Sequence, residues 1–143
     1  RGRKGSYYEG GFRVPLLVSW KGRIAPGVTS DRVTGFEDWL PTLLELAAAK
    51  DDVPNNIDGI SFARTLQGKP QAPRPFLYRE SPGYGGQQCV RVGDWKLVAL
   101  KGGPWELYDL KTDRAEQHDL AQAAAKRRGG RVQGRASSRC RQA

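Results

Sequence analysis

Lys4, Glu9 and Arg13 lie inside one short stretch, KGSYYEGGFRVP (residues 4–15), together with Gly5, Gly10 and Gly11. A carboxylate and a guanidinium four residues apart around a glycine turn can form a charge-assisted pair. Glu9 and Arg13 are therefore expected to fix the loop rather than to touch a ligand. Gly10 and Gly11 are expected to permit a sharp reversal that sends the chain on toward Val14. A plain connector needs none of these residues.

Other chemistry-bearing residues carry less. His118, the single histidine, falls in a polar closing segment and reads as a surface turn residue. Asp51, Asp52 and Asp58 accompany Asn55 and Asn56 without calcium-loop spacing, which fits turn and capping roles. Cys89 sits in an apolar run and reads as a small core residue, whereas Cys140 lies in a polar tail, so a disulfide between them is not expected. No CxxC or histidine spacing of a zinc site is present, and no metal is assigned to this chain's own residues.

The elements that would position these residues follow from periodicity. VPLLVSW (14–20) is a continuous apolar run and predicts a strand buried on both faces. In GFEDWLPTLLELAAAK, Phe36, Trp39, Leu40, Leu43, Leu44 and Ala47 recur at three- and four-residue steps. That spacing predicts a helix over 38–49 burying the leucine face, with Asp38 as its N-cap and Pro41 in its first turn. SFARTL (61–66) predicts one or two helical turns, and QGKPQAPRP (67–75) a connector. FLYRES, QCVRVG, WKLVAL and WELYDL then predict four short strands of an antiparallel meander, with Gly93–Asp94 as a hairpin turn. Phe76, Trp95, Trp105 and Tyr108 fall on those strands and are expected mainly in the core. Tyr84 sits in a glycine-rich loop that could reach a cleft.

The formal net charge of +9 is unevenly placed. Seven basic residues and no acid follow from Lys126 onward, and without them 17 basic residues face 15 acidic ones. Residues 122–143 contain no leucine, isoleucine or aromatic residue and are expected to be disordered. No run of apolar residues is long enough for a membrane span, and the first residues lack the succession of a signal peptide.

Several motifs, in order, resemble the C-terminal part of a sulfatase of the arylsulfatase type, in the alkaline-phosphatase-like superfamily. KGSYYEGGFRVP resembles that family's lysine loop, and WKGRIAPG the turn that follows it. EDWLPTLLELAA and DGISFARTLQG are similar to its D-x-x-P-T helix and D-G-x-S segment. VRVGDWKLV and ELYDLKTDRAEQHDLA resemble its closing hairpin and ending. The resemblance implies an α/β (α+β) fragment, the end of an alkaline-phosphatase-like sheet followed by a small four-stranded antiparallel sheet with a packed helix. The expected division is 1–70 as the last strand–helix unit of the catalytic domain, 71–121 as the antiparallel subdomain and 122–143 as the tail.

The same resemblance implies a function. Lys4 matches a lysine that contacts sulfate and stabilises charge, and Gly5 lets the backbone pass close to ligand. Calcium (or another divalent cation) and formylglycine are implied for the whole enzyme, on residues of a missing N-terminal region. Neither Cys89 nor Cys140 lies in the C-x-P-S-R motif from which formylglycine is made. This chain alone is thus expected to be inactive, to serve a sulfate ester hydrolase, and to be able to self-associate through its exposed strand. Periplasmic or secreted localisation is suggested by family habit only. The alternative is a non-catalytic basic module contacting nucleic acid phosphates through RGRKG and the arginine-rich tail; a structural domain that has lost catalysis is a third reading. Neither a membrane nor nucleic acid is the expected partner.

Overall fold

Successive side chains of a strand point to opposite faces, so the meander sequences can bury every second residue. In the computed structural model, which describes residues 1–126, they do so. Strands β1 (Leu77–Ser81), β2 (Gln87–Val92), β3 (Trp95–Leu100) and β4 (Glu106–Asp109) form one antiparallel sheet in the order β1-β2-β3-β4. Cys89 faces Val98 across β2 and β3, and Lys96 faces Tyr108 across β3 and β4. Residues 127–143 of the expected tail, Cys140 included, lie outside the described residues, as does most of the arginine-rich segment invoked for nucleic acid.

The chain divides into two compact units. One joins residues 1–14 to the segment from Tyr78 onward, and the other is Pro15–Leu77. Residues 1–14, expected with the strand–helix unit, thus pack with the meander. Their short helix α1 (Glu9–Phe12) brings Tyr8 into a core with Cys89, Val98, Tyr108 and Leu110, and Tyr7, Phe12 and Leu100 pack against it. Tyr8 and Tyr108 meet edge to face with centroids 6.3 Å apart, a geometry that suits aromatic quadrupoles. Of the strand aromatics only Tyr108 is core; Phe76, Trp95 and Trp105 are about half exposed. Trp95 has the opposite phase to Lys96 and Val98 and so projects from the other face, while Phe76 and Trp105 fall just outside the ladders.

The second unit corrects two expectations. Residues 14–20 form no strand, and Leu17 is 92% exposed. A strand buried on both faces needs paired neighbours and covering layers, and the only sheet among the described residues is the meander. Helix α2 (Trp39–Leu46) does form, after a 3-10 turn at Phe36–Asp38, but it buries Asp38, Pro41 and Thr42. Leu40 and Leu43 are exposed, and Phe36 is 89% exposed.

Polar ties explain this orientation. Thr42 Oγ1 donates to the Asp38 carbonyl at 2.6 Å and accepts the Phe62 N–H at 3.0 Å. Asp38 stands at the N-cap position of α2, as expected, but its side chain caps no N–H of that helix; its carboxylate accepts the N–H groups of Gly35 and Ile60 instead. Arg74 of the proline-rich connector pairs with the same carboxylate and, at 3.1 Å, with Glu37. Trp39 stands edge to face on Phe62, just before α3 (Ala63–Leu66). No helix among the described residues is long and apolar enough to cross a membrane.

Thr42→Val keeps the shape but leaves the buried Phe62 N–H without an acceptor, which costs about 1–3 kcal/mol. Urea denaturation should show that loss; a midpoint unchanged from the parent chain would mean the hydroxyl does not anchor residues 60–62.

Candidate functional site

The lysine of the opening motif stands on a turn. The Ser6 N–H donates to the Arg3 carbonyl at 3.0 Å, placing Lys4 and Gly5 at the two central positions. Gly5 has φ +86°, the left-handed value that the third position of such a turn favours and that side chains resist. The Lys4 side chain is exposed and makes no ion pair or hydrogen bond among the described residues.

The backbone around this turn is held from the inner face of the sheet, by one polar side chain from each of β2, β3 and β4. Buried Gln87 at the start of β2 donates from Nε2 to the Gly5 carbonyl at 2.7 Å and accepts the Tyr7 N–H at 3.2 Å. Lys96 of β3, 1% exposed, places Nζ 2.8 Å from Glu9 Oε1 and 2.8 Å from Glu116 Oε1. Glu106 of β4 accepts the Tyr8 hydroxyl at 2.7 Å, the Tyr108 hydroxyl, and Arg1 Nη1 at 3.2 Å. The Arg1 guanidinium also lies over the Tyr8 ring, 4.2 Å from its centroid.

Glu9 therefore pairs chiefly with Lys96, and the expected Glu9–Arg13 pair is a long contact of 4.0 Å. Arg91 Nη1 stands 3.9 Å from the same oxygen, Glu9 Oε2, which accepts no hydrogen bond. Glu116 completes the cluster: its Oε2 accepts the Glu9 N–H at 2.6 Å. Its Oε1 sits at ion-pair distance from Lys96 but off the hydrogen-bonding direction. Glu116 takes φ +55°, a value uncommon for a residue with a side chain; its buried contacts hold it there.

Gly10 and Gly11 do not reverse the chain as expected. Both lie in α1 against the preceding turn, where a Cβ would stand 2.6 Å from the Arg1 and Gly2 carbonyl oxygens, or 2.5 Å from that of Ser6. Their role is close backbone approach. Of the other candidates, Cys89 is a buried free thiol whose burial pushes its pKa up to about 11. His118 is exposed beside Asp113, whose carboxylate is held below its usual range by the N–H groups of Gln117 and His118. Asp51 and Asp52 lie in a 3-10 turn, and Asp58 in the loop after it. Tyr84 lies in another 3-10 turn, Gly83–Gly85.

The sequence reading found Lys4 and Glu9 but missed Gln87, Lys96, Glu106 and Glu116. A signal existed for three of them. In strands that alternate, Gln87, Lys96 and Glu106 share the inward phase with Cys89, Val98 and Tyr108. A polar residue there must find a buried partner.

Comparison with known proteins decides the family. Residues 3–131 match the family described as N-sulphoglucosamine sulphohydrolase, C-terminal. The chain belongs to this sulfatase C-terminal family. Arylsulfatase G of Rattus norvegicus is 35% identical over 104 residues, covering 70% of this chain and 20% of that protein. Arylsulfatase A of Homo sapiens is 42% identical over 97 residues, covering 65% and 18%. The chain thus spans about a fifth of the length of these relatives. Among solved structures, Ps i-CgsB aligns with TM-score 0.68 at 28% identity, over 85% of this chain and 28% of the other. BT4656, solved with D-glucosamine-2-N,6-O-disulfate, aligns with TM-score 0.52 at 27% identity, over 64% and 21%. The fold is that of the C-terminal part of alkaline-phosphatase-like sulfatases.

Among the described residues no three His, Cys, Asp or Glu side chains converge as a metal site, and Cys89 is sealed in the sheet core.

Lys96→Met removes the cation between two buried carboxylates and should destabilise the chain by about 3–5 kcal/mol. Denaturant titration tests this; a loss under about 1 kcal/mol, the range of exposed pairs, would show that the cluster is solvated in solution. Alkaline pH provides a second test. Burial, with the Glu106 hydrogen bond, raises the Tyr8 pKa to about 12, and Tyr108 is raised for the same reasons. An unfolded tyrosine ionises near about 10, so the stabilisation is whole below that pH and is lost as pH climbs through the folded value. Stability should fall from about pH 10 toward about 12, and Glu106→Gln should shift tyrosinate absorbance to lower pH. Titration of all tyrosines together near the unfolded value would contradict the burial of Tyr8 and Tyr108.

Proposed function

We propose that this chain is the C-terminal region of a sulfuric ester hydrolase of the arylsulfatase type and that Lys4 contacts the sulfate group. The observation that carries the reading is the lysine turn: an exposed ammonium with no partner among the described residues, on a backbone held by side chains from three strands, two of them, Gln87 and Lys96, buried. A surface lysine needs no such support. A group that must meet a substrate at a fixed place does.

The chemistry suits an ammonium. As the S–O ester bond breaks, negative charge grows on the bridging oxygen and spreads over the sulfate oxygens. A positioned cation stabilises that charge most in a partly dry site, where it need not reorganise. Gly5 keeps side-chain bulk from the approach. Calcium or another divalent cation and a formylglycine nucleophile belong to parts of the enzyme beyond these residues, so this chain alone should not hydrolyse sulfate esters. The substrate is a sulfate ester; sugar sulfates are a reasonable first choice because BT4656 was solved with a glucosamine disulfate.

The complete enzyme, assayed with an aryl sulfate and with glucosamine sulfates, should lose about a hundredfold or more in kcat/KM on Lys4→Ala, roughly 3 kcal/mol of transition-state stabilisation. Lys4→Arg should recover part of the loss. Full activity in Lys4→Ala would remove Lys4 from the reaction.

A further inference from the structure

We propose that Gln87 is the positioning residue for Lys4; the inference rests on the reading in which Lys4 meets the sulfate. The other two ties grip the segment away from the turn. Glu106 holds Arg1 and Tyr8, and Lys96 with Glu116 holds Glu9. Among the described residues, Gln87 is the one side chain that grips the turn itself, at the carbonyl of Gly5 and the N–H of Tyr7. These two groups bracket Ser6, the residue through which the turn leaves toward α1.

The residue type is decided by what the backbone presents. One group accepts and the next donates, so the side chain between them must donate and accept at once. A primary amide does this; a carboxylate offers acceptors only, and a thioether almost nothing. Asparagine has the right groups but is one methylene short of glutamine.

The anchor is firm on the sheet side. Gln87 is 5% exposed, and it opens β2 opposite Leu100 of β3, two residues before the buried Cys89–Val98 pair. Gly5, in turn, can take its left-handed conformation with little intrinsic preference of its own. A glycine turn that carries a catalytic ammonium is soft, and the amide clamp removes that softness. Gln87 touches no substrate in this arrangement. It fixes the direction from which Lys4 leaves the backbone.

Two measurements test the role, using Gln87→Met, which keeps the side-chain volume and deletes both hydrogen bonds. In the chain as it stands, amide exchange at Tyr7 should quicken by about fivefold or more, the equivalent of one ordinary hydrogen bond. The β2–β3 ladder amides should keep their protection. Unchanged exchange at Tyr7 overturns the proposal, and so does an equal loss of protection everywhere, which would make Gln87 a general stabiliser. In the complete enzyme, Gln87→Met should lower kcat by about tenfold with little change in KM. In the Lys4→Ala background it should have no further effect, because a residue that acts only through Lys4 is silent without it. Additive losses would overturn the role. An enzyme indifferent to Lys4→Ala would sink the catalytic reading first, and the exchange result at Tyr7 would still report on the clamp.

Discussion

A lysine with no water around it must be matched by negative charge, or the fold that buries it does not form. Lys96 meets that condition with Glu9 from the opening motif and Glu116 from the closing one, each at 2.8 Å. The constraint reaches far along the chain. Lys96 of β3 cannot be buried with its charge matched unless Glu9 of the opening segment and Glu116 of the 113–118 turn both reach it. The same carboxylate of Glu116 that balances Lys96 also accepts the Glu9 N–H at the start of α1. Pairing of opposite charges in one small volume therefore ties three distant sequence motifs together. Without it, the apolar contacts of Tyr8 with Cys89, Val98 and Tyr108 would have no defined register.

Hydrophobic burial alone would not orient the opening segment. Tyr7, Tyr8 and Phe12 offer large apolar surfaces that could slide over the sheet with little loss, since burial is not directional. The polar ties supply direction: an amide to the backbone on either side of Ser6, a carboxylate to two phenols, and an ammonium to two carboxylates. The glycines complete the arrangement by letting α1 lie against the preceding turn, where a side chain at Gly10 or Gly11 would meet carbonyl oxygens.

Much of this was legible in the sequence, and the rest failed for identifiable reasons. The meander was legible because two-residue alternation and the Gly93–Asp94 turn are local signals. Helix α2 was legible as a helix, yet its orientation was not. A leucine stripe normally marks the buried face, but here Asp38 and Thr42 turn inward to hold the backbone at Ile60 and Phe62. The run 14–20 has the composition of a buried strand and lacks strand partners among the described residues, so composition overstated it. At the candidate site, Lys4 and Glu9 could be named from the motif. Their supports lie 80 to 107 positions away along the chain, beyond the reach of any spacing rule, although the inward phase of Gln87, Lys96 and Glu106 marked them as residues in need of partners.

The long separation of those contacts has a kinetic meaning. The β2–β3 hairpin closes through the Gly93–Asp94 turn between adjacent strands, whereas Glu9 meets Lys96 across 87 positions. The entropy of closing a loop grows as the logarithm of its length, so the long closure costs about 3 kcal/mol more than the short one. The hairpins can assemble first and wait; the lysine turn can dock only on a sheet that already exists. By that entropy the meander is the cheaper structure to close, and the docking of the segment that carries Lys4 is the step that bears the larger chain-closure cost.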